Sequence, residues 1–563
     1  MYQIVGIVLM LVSCIGSVLL PHYFDWNTEQ SMTLRLVTAL VLSVVSIRLC
    51  GIFPRKVLSL NRGEQFLYIW LTAIGCLCLL SGQPSAEPLF SAGLIGSLFL
   101  LLKYCFNETT IRRLFIPLVA AGCCEAAYGL LQNKSVLGAQ GHFDNPAGFA
   151  ATMVALLPFA ILLIRETGTL NRTVGISGTL LFITAIIVSE SRAGIVAAIT
   201  IGLLSLPRGL FRRFCRRIRI VSDAFLLFFL IACTVLLYQY KKDSADGRLL
   251  IWQCSWNMIR DRPLLGHGPN GFTAKYMLYQ ADYFAEKPDS RLAPLADNTK
   301  HPFNEYLGCA VSFGLLGILL LGGLFIAMLL ISPKKTPYKK TGLTSIAAIA
   351  VLALFSYPLH YTIMLCFLTL DLFLVTGKEK TPERRIPIRI IRLSVIPFAL
   401  FSISTTVRRI KSEIHWNKSK QTILAEANSR GYDDLYSDLG GEPLFLYNYG
   451  AVLNRIGKYR QSRLILTKCE KQFNDCDLQI IQADNYFRIG NYKQAEIHAK
   501  LASNMCPNRF VPLYQLVEIY NKTAREEEAV SLARHMIDMK VKVPSETVFL
   551  IRYRIGKLLE KGE

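Results

Sequence analysis

The chain has 563 residues, of which 52% are hydrophobic and only 18% charged, with a mean hydropathy of +0.36, and this composition excludes an ordinary soluble globular protein. It carries 62 Lys and Arg against 40 Asp and Glu, and the resulting net charge of +22 would suggest nucleic acid as the partner of a soluble protein. In a membrane protein the same excess reflects topology instead, so we expect a membrane protein with no nucleic-acid partner.

Thirteen apolar runs before about residue 405 are each long enough, at roughly 15 to 25 residues, to cross the hydrocarbon core of a bilayer as a helix. They cover approximately residues 4–20, 36–52, 66–81, 89–102, 114–131, 146–164, 174–189, 194–206, 221–238, 306–331, 343–357, 362–376 and 393–407. Because several runs are short, the prediction is an all-α membrane bundle of about 12–14 spans. The first run lacks the basic leader of a cleavable signal, so we expect it to be retained as a span.

The distribution of positive residues predicts which side of the membrane each turn faces. The turns after the even-numbered spans hold 25 Lys and Arg and five acidic residues, whereas the short turns on the other side hold only Arg35, Lys134 and Arg192. Since basic residues accumulate in cytoplasmic loops, we expect the even-numbered turns and the N-terminus inside and the C-terminal region outside. Most of the net charge therefore orients the bundle.

Two segments interrupt the pattern of spans and short turns. The first is a polar loop at residues 239–302 on the outer face, and a loop of this length in a compact bundle is usually functional. The second is the polar region at residues 411–563. We therefore predict a transmembrane domain at residues 1–410, which includes the loop, and a soluble α-helical domain at residues 411–563 on the same side as the loop.

The C-terminal region repeats with a period of 33 or 34 residues. The repeating positions keep small and bulky residues in register: Gly450, Leu453, Gly457, Tyr459 and Ser462, then Ala483, Tyr486, Gly490, Tyr492 and Ala495, then Val517, Tyr520, Ala524 and Ala529. Helix pairs with small residues where the helices touch resemble the tetratricopeptide repeat, and three units are about the minimum for a stable stack. Such repeats bind peptides or proteins, which suggests a protein partner. An unrelated helical bundle is the alternative.

Five polar clusters interrupt the apolar pattern, and with this orientation nearly all of them lie on the outer face. In chain order they are Gly141-His142-Phe143-Asp144-Asn145-Pro146, Ser191-Arg192-Ala193-Gly194, Arg248 followed by Trp252, the run from Pro263 to Phe272, and His301-Pro302-Phe303-Asn304-Glu305-Tyr306-Leu307 with Gly314-Leu315-Leu316-Gly317 further along the same span. Each cluster alone is explained by a turn, a helix cap or an arginine that reaches lipid headgroups. Arginines beside a histidine on one face, however, suit a substrate with a diphosphate and a hydroxyl that needs a base.

This ordered set of motifs, within about residues 60 to 380, resembles the O-antigen ligase and polymerase superfamily, which includes bacterial protein O-oligosaccharyltransferases. The resemblance implies an inverting transfer of a glycan, without metal or cofactor, from an undecaprenyl-diphosphate carrier to an acceptor hydroxyl at the outer face of the bacterial inner membrane. By motif it gives Arg192 and Arg248 as the diphosphate ligands, since guanidinium groups pair bidentately with phosphate oxygens. It gives His301 as the base, because an imidazole accepts a proton near neutral pH.

Four further polar residues are candidate substrate ligands: Arg291, a third cation assigned by position alone, and Asn145, Asn304 and His267 from the motifs. In one respect the chain departs from the superfamily. Many members have a histidine directly before the asparagine, where this chain has Phe303. His301, two residues earlier, is the favoured base, and His267 and His142 are the alternatives.

Two acidic residues lie inside predicted spans, where ionisable groups are expensive unless they face the bundle or a wet cavity. Glu125 is less than two turns from the outer end of its span and could reach the active cavity. For Asp371 we expect a hydrogen bond between helices.

Three acceptors suit the same chemistry: the lipid A core for a ligase, a growing glycan for a polymerase, and an exported protein for an oligosaccharyltransferase. The single long outer loop favours the ligase, whereas the repeat region favours a protein acceptor or a partner in an assembly. A transporter of lipid-linked sugars is the alternative outside enzymes. A transporter would be expected to have its polar residues at the membrane midplane. In this chain we expect the polar clusters at the outer edge.

Overall fold

The computed structural model describes residues 2–24, 27–51, 57–80, 86–132, 139–205, 239, 242–330, 337–376, 384–426 and 429–562. Within these residues the chain forms 22 α-helices and a single pair of short strands, which confirms the all-α prediction. The predicted span at residues 221–238 and the basic run at residues 208–219 lie outside the described residues.

The helices of the apolar part follow one another with short connections. They are α1 (Tyr2–Phe24), α2 (Glu29–Gly51), α3 (Arg62–Leu80), α4 (Glu87–Cys105), α5 (Glu108–Leu131), α6 (Pro146–Arg165), α7 (Thr169–Val188), α8 (Arg192–Ser205), α11 (Glu305–Leu330), α12 (Pro337–Phe355), α13 (Thr362–Thr376) and α14 (Ile388–Glu426). A short 3-10 helix, Pro358–His360, connects α12 to α13. Strands β1 (Val57–Leu60) and β2 (Arg384–Pro387) pair antiparallel, with Val57 opposite Pro387.

In the described residues, nine of these helices are long and apolar enough to cross a membrane, and three shorter apolar helices accompany them at Gly6–Leu20, Arg192–Ser205 and Thr362–Thr376. These twelve match twelve of the thirteen predicted spans. The protein is therefore a multi-pass membrane protein, as predicted from hydropathy.

Helix α6 lies at the centre of the apolar core, because nearly all its side chains are buried. Its Phe159 stacks on Phe115 of α5 with ring centroids 5.4 Å apart. Glycines allow the neighbouring helix α7 to approach closely: a Cβ at Gly175 would lie 2.8 Å from the carbonyl oxygen of Ala160. Small residues at such crossings are the usual means by which membrane helices pack, since lipid supplies no hydrophobic driving force between them.

The chain folds into two compact units. The first unit comprises Met1–Tyr240, Phe303–Tyr306 and Leu316–Ile410, and the second comprises Lys241–Pro302, Leu307–Leu315 and Lys411–Glu563. The outer loop, which was predicted as part of the transmembrane domain, thus packs with the C-terminal region. The reason is a set of side-chain contacts between loop and repeats that hydropathy does not encode.

The second unit contains two helices from the loop and eight from the C-terminal region. They are α9 (Lys242–Asp261), α10 (Gly271–Glu286), α15 (Arg430–Leu439), α16 (Pro443–Arg455), α17 (Tyr459–Glu470), α18 (Cys476–Arg488), α19 (Tyr492–Met505), α20 (Phe510–Lys522), α21 (Glu526–Asp538) and α22 (Glu546–Gly562). The end of α14 joins this unit through Trp416, which is fully buried and donates a 3.1 Å hydrogen bond to the hydroxyl of Tyr432.

The helix pairs α16–α17, α18–α19 and α20–α21 repeat the predicted register. Each pair turns at a residue in the left-handed region, with φ of +79° at Gly457, +81° at Gly490 and +57° at Ala524. At the crossing of the first pair, a Cβ at Gly450 would lie 2.4 Å from the Leu466 side chain, so only glycine fits there. The 33- and 34-residue spacing therefore reflects repeated helix hairpins, and the tetratricopeptide assignment stays a prediction.

Candidate functional site

The first motif, Gly141 to Pro146, forms a tight loop against the C-terminal part of α5. Gly141 has φ of +60°, and a Cβ there would lie 2.2 Å from Oε1 of Glu125. Glycine is needed, because it lets the loop close on this carboxylate. The backbone N–H of His142 donates to Glu125 Oε1 at 2.8 Å, and His142 Nδ1 lies 2.7 Å from Glu125 Oε2.

The same loop caps helix α6 and binds two tyrosines. Asn145 Oδ1 accepts a 2.9 Å hydrogen bond from the backbone N–H of Gly148, the ordinary role of an N-cap. Its Nδ2 donates to the hydroxyls of Tyr361 at 2.7 Å and Tyr357 at 3.1 Å, and Tyr361 in turn donates to Asp144 Oδ1 at 2.8 Å. Burial and the nearby Asp144 raise the pKa of Tyr361, so its hydroxyl stays a neutral donor.

Part of the fifth motif joins this network at the start of α11. Glu305 Oε1 accepts a 2.8 Å hydrogen bond from the backbone N–H of Leu359, in the 3-10 helix between α12 and α13. The ring of Phe303 packs edge-on against Tyr357, with centroids 5.4 Å apart. Phe303 has φ of +51°, an uncommon conformation for a bulky residue that often accompanies function. Asn304 is buried beside it.

The second motif brings Arg192 to the start of a neighbouring helix. Arg192 is the first residue of α8 and is half-buried, and Ser191 Oγ accepts a 3.2 Å hydrogen bond from the backbone N–H of Gly194. A Cβ at Gly194 would lie 3.0 Å from that of Ala150, one turn into α6. Helices α6 and α8 therefore pack against each other. Asn145 lies at the N-terminus of α6 and Arg192 at the N-terminus of α8. Helix N-termini carry partial positive charge, so this arrangement favours binding of an anion.

The third motif lies on α9, in the second unit. Arg248 and Trp252 are one helical turn apart, and Arg248 is half-buried. Trp252 Nε1 donates a 3.0 Å hydrogen bond to the carbonyl of Pro302, the residue after His301. The arginine motif and the histidine favoured as base are thus connected within this unit.

The fourth motif pairs through its backbone with the segment that leads to Gly314. The N–H groups of His267 and Gly268 donate to the carbonyls of Val311 at 2.7 Å and Ser312 at 2.9 Å. Gly266 and Gly268 have φ of +68° and +88°, and Gly314 with φ of +62° interrupts the helical geometry of α11. Gly314 lies inside the predicted span at residues 306–331, and the helical geometry is interrupted there because the Gly314 backbone packs directly on Leu264.

His267 occupies a structural position in this pairing. Its ring is buried, and Nε2 donates a 2.8 Å hydrogen bond to the carbonyl of Met258. Burial lowers the pKa of its imidazole, so the ring is neutral at pH 7. These contacts hold the loop together and give no support for its predicted role as a substrate ligand or as an alternative base.

The loop between α10 and His301 is fastened to the repeats. Asn298 Nδ2 donates to Asp477 Oδ2 at 2.7 Å, and its Oδ1 accepts from the backbone N–H of Cys476 at 3.1 Å. Arg509 bridges Asp477 at 2.6 Å and Asp297 at 3.1 Å. Arg291 lies earlier in the same segment and is exposed. The repeat helices therefore support the segment that carries His301.

The structure thus sorts the predicted residues into two groups. Asn145, Arg192 and Asn304 belong to the first unit, and Arg248, Arg291, His267 and His301 belong to the second. Tyr357 and Tyr361, which link the first motif to the fifth, were not among the predicted residues. The signal that could have found them is the aromatic and polar turn Tyr357-Pro358-Leu359-His360-Tyr361 between two spans.

Comparison with known proteins gives one family. Residues 177–322 match the O-antigen ligase family, a segment that includes Arg192, Arg248 and His301. No curated protein matches the chain. O-antigen ligases are glycosyltransferase-type enzymes. Through this segment, with its motifs in order on a bundle of apolar helices, the chain is similar to the O-antigen ligase family.

Proposed function

We propose that this protein transfers a glycan from an undecaprenyl-diphosphate carrier to an acceptor hydroxyl at the outer face of the bacterial inner membrane. The observation that carries the proposal is the pairing of motifs within each unit: Asn145 donates to Tyr357, whose ring contacts Phe303, and Trp252, one turn from Arg248, donates to the carbonyl of Pro302. Motifs that are distant in sequence and meet within one unit indicate a functional role rather than separate turns. The N-terminus is inside and the C-terminal domain outside, following the positive residues.

Arg192 and Arg248 hold the diphosphate in this proposal. The glycosidic bond breaks with its electron pair on the diphosphate, and two guanidinium forks offset the growing negative charge through bidentate hydrogen bonds. No metal is required for that role. Asn145 and Asn304 supply neutral hydrogen-bonding groups for the sugar.

The proton of the acceptor hydroxyl goes to a histidine of the outer face. The resemblance points to His301, in the segment fastened to the repeats. The structure offers a second histidine, His142, beside Glu125. Both carry an imidazole, a group that can accept the proton of a hydroxyl as a general base.

We rank the lipid A core first as acceptor, followed by an exported protein and then a growing glycan. The first choice rests on the single long outer loop. The contacts of Asn298 and Arg509 engage one face of the repeats with the protein's own loop, so the repeats have a structural task besides any protein partner.

The test is transfer by the purified protein in detergent, with an undecaprenyl-diphosphate-linked glycan as donor and lipid A core or a Ser- and Thr-containing exported protein as acceptor. Arg192→Ala and Arg248→Ala should each lower kcat/KM by about 10³-fold, the loss seen when a single transition-state cation or donor is removed. Arg172→Ala, exposed near the start of α7, is the matched control and should retain activity.

Two outcomes would contradict the proposal. Unchanged donor binding and transfer in both arginine variants would remove them as diphosphate ligands. Movement of donor across vesicles without any transfer in detergent would identify a transporter. Deletion of the gene, with parallel analysis of lipopolysaccharide and glycoproteins, selects the acceptor: loss of polymer on lipid A, shortened chains, or unglycosylated exported proteins.

A further inference from the structure

A carboxylate and an imidazole form a close pair at the end of helix α5. Glu125 receives two hydrogen bonds from His142: the backbone N–H reaches Oε1 at 2.8 Å and ring Nδ1 reaches Oε2 at 2.7 Å. A carboxylate that accepts from Nδ1 fixes the tautomer, so the Nδ1 position carries the proton and Nε2 carries the lone pair. This is the arrangement by which an acidic residue orients a histidine base.

The ring of His142 is held from a second direction. Tyr128, one turn along α5 from Glu125, stacks on it with centroids 4.2 Å apart and planes at 18°. The His142 side chain nevertheless remains 25% exposed, against 13% for Glu125. The imidazole is therefore fixed in orientation and still accessible, whereas the carboxylate beneath it is more deeply placed.

His142 also belongs to the loop that carries other site residues. Asn145, three residues on, caps α6 and bonds Tyr357, and Tyr357 contacts Phe303. The loop of His142 is thus connected, through Tyr357, to the segment that leads into α11.

We propose that His142, oriented by Glu125, is the base of the transfer reaction; the inference rests on the proposed function. The acceptor hydroxyl gives its proton to Nε2 of His142 while its oxygen bonds the anomeric carbon. The bond from that carbon to the diphosphate breaks, and the electron pair leaves with the diphosphate. Glu125 stabilises the imidazolium that forms, and the proton then passes to water. Glu125 is a positioning residue, since it acts through His142.

The experiment compares His142→Ala and His142→Asn with the unchanged protein in the detergent assay. An Asn amide can still hydrogen-bond Glu125 but cannot accept the proton, so it separates a catalytic role from a structural one. Both variants should lose about 100-fold in kcat, with the donor KM within about threefold, as expected for removal of a general base. Added imidazole should restore at least about tenfold to His142→Ala.

Glu125→Gln should lower kcat by about tenfold at constant donor KM, and Glu125→Asp should recover part of that loss, because the charge beside the imidazolium returns. His535→Ala, exposed on α21, is the control and keeps full activity. A His142→Asn variant with full transfer activity would overturn the proposal. The proposal would also fail if added imidazole restored transfer activity to His301→Ala but not to His142→Ala. If the unchanged protein binds donor and transfers nothing, the proposed function itself fails instead.

Discussion

The motifs of the two units are held together in different ways. In the first unit, side chains contact one another: Glu125 with His142, and Asn145 with Tyr357 and Tyr361. In the second unit the glycines at 266, 268 and 314 let one backbone pair with another, and the polar side chain among them, His267, is buried. The motifs of the first unit thus present polar side chains that could act on a substrate, whereas the glycine motifs of the second unit determine the path of the backbone.

The two units also differ in what supports their loops. The loop of His142 rests directly on membrane helices α5 and α6. The segment before His301 rests on the repeat helices through Asn298 and Arg509. A substitution where the loop of His142 rests on α5 and α6 should therefore change the rate of transfer. A substitution where the segment before His301 rests on the repeats should first change how well ordered that segment is.

Gly141→Ala is expected to give the largest effect. A Cβ would lie 2.2 Å from Glu125 Oε1 at a φ of +60°, so the loop must move away from the carboxylate. On the proposed mechanism, kcat per folded molecule should fall by about 100-fold, the share of a general base, in addition to a lower unfolding midpoint from the strained backbone. The measurement is the detergent transfer assay beside thermal unfolding. Gly202→Ala, in α8 with no atom within 4 Å of the added Cβ, is the control. Full activity in Gly141→Ala would show that the loop geometry does not serve catalysis.

Gly266→Ala should lower stability without a selective loss of kcat. The added Cβ would lie 2.5 Å from the carbonyl carbon of Ser312 at a φ of +68°, which strains the backbone pairing. We expect the unfolding midpoint to fall by roughly 3 to 8 °C, for a cost of about 2 kcal/mol, and activity to fall only as the folded fraction does. Gly457→Ala, with φ of +79° and nothing within 4 Å, isolates the conformational part of the cost. If the Gly266→Ala variant were stable but lost kcat selectively, the backbone pairing would take part in catalysis, and the difference between the two units would not hold.

Arg509→Ala tests whether the repeats position the outer segment. Losing the bridge leaves Asp297 and Asp477 without their shared cation, and partly exposed bridges of this kind each contribute up to about 1 kcal/mol. Hydrogen exchange at residues 296–302 should quicken, and transfer should fall by about tenfold if His301 or Arg248 needs that segment in place. Arg509→Lys should recover part of the protection from hydrogen exchange and part of the transfer activity. Arg525→Ala, whose bonds to Glu496 and Glu528 lie within the repeats, should leave exchange at residues 296–302 unchanged.

Hydropathy and period predicted those parts of the fold that depend on the local sequence. Twelve predicted spans coincide with apolar helices, and the repeat register recurs in the left-handed turns at Gly457, Gly490 and Ala524. The packing of the outer loop with the repeats could not be predicted, because it depends on pairs such as Asn298 and Asp477, 179 residues apart.

The candidate site shows the same limit. The motifs predict Asn145 and Arg192 as site residues from residue type and order alone, and this stays a prediction. Tyr357 and Tyr361 bond Asn145 across more than 200 residues of sequence, and a short turn between two spans carries no periodic signal that would mark them. The break at Gly314 was missed for a related reason: glycine inside an apolar run is ordinary, and only the approach of Leu264 requires it there.

The smallest expected effect concerns Asp475, which caps α18 by accepting from the backbone N–H of Leu478 at 2.8 Å. Burial is the main reason that the pKa of this carboxyl is raised to about 6. The hydrogen bond from Leu478 lowers the pKa, Asp477 raises it, and Lys300 and Arg509 lower it. Since the folded pKa exceeds the unfolded one, the folded state binds the extra proton between about pH 4 and 6. The stability that this group contributes is therefore present below about pH 4 and is lost as the pH rises through 6.

Asp475→Asn keeps the cap, because asparagine is as good an N-cap, and removes the buried charge. The unfolding midpoint of the variant should exceed that of the unchanged protein at pH 7.5 by the equivalent of about 1 to 2 kcal/mol, and the difference should disappear near pH 4. Thermal unfolding at both pH values measures this, with the exposed Asp538→Asn as control. A variant that is less stable at pH 7.5 would show that the ionised carboxylate favours the docking of Lys300 and Arg509. The segment before His301 would then depend on charge as well as on hydrogen bonds to the repeats.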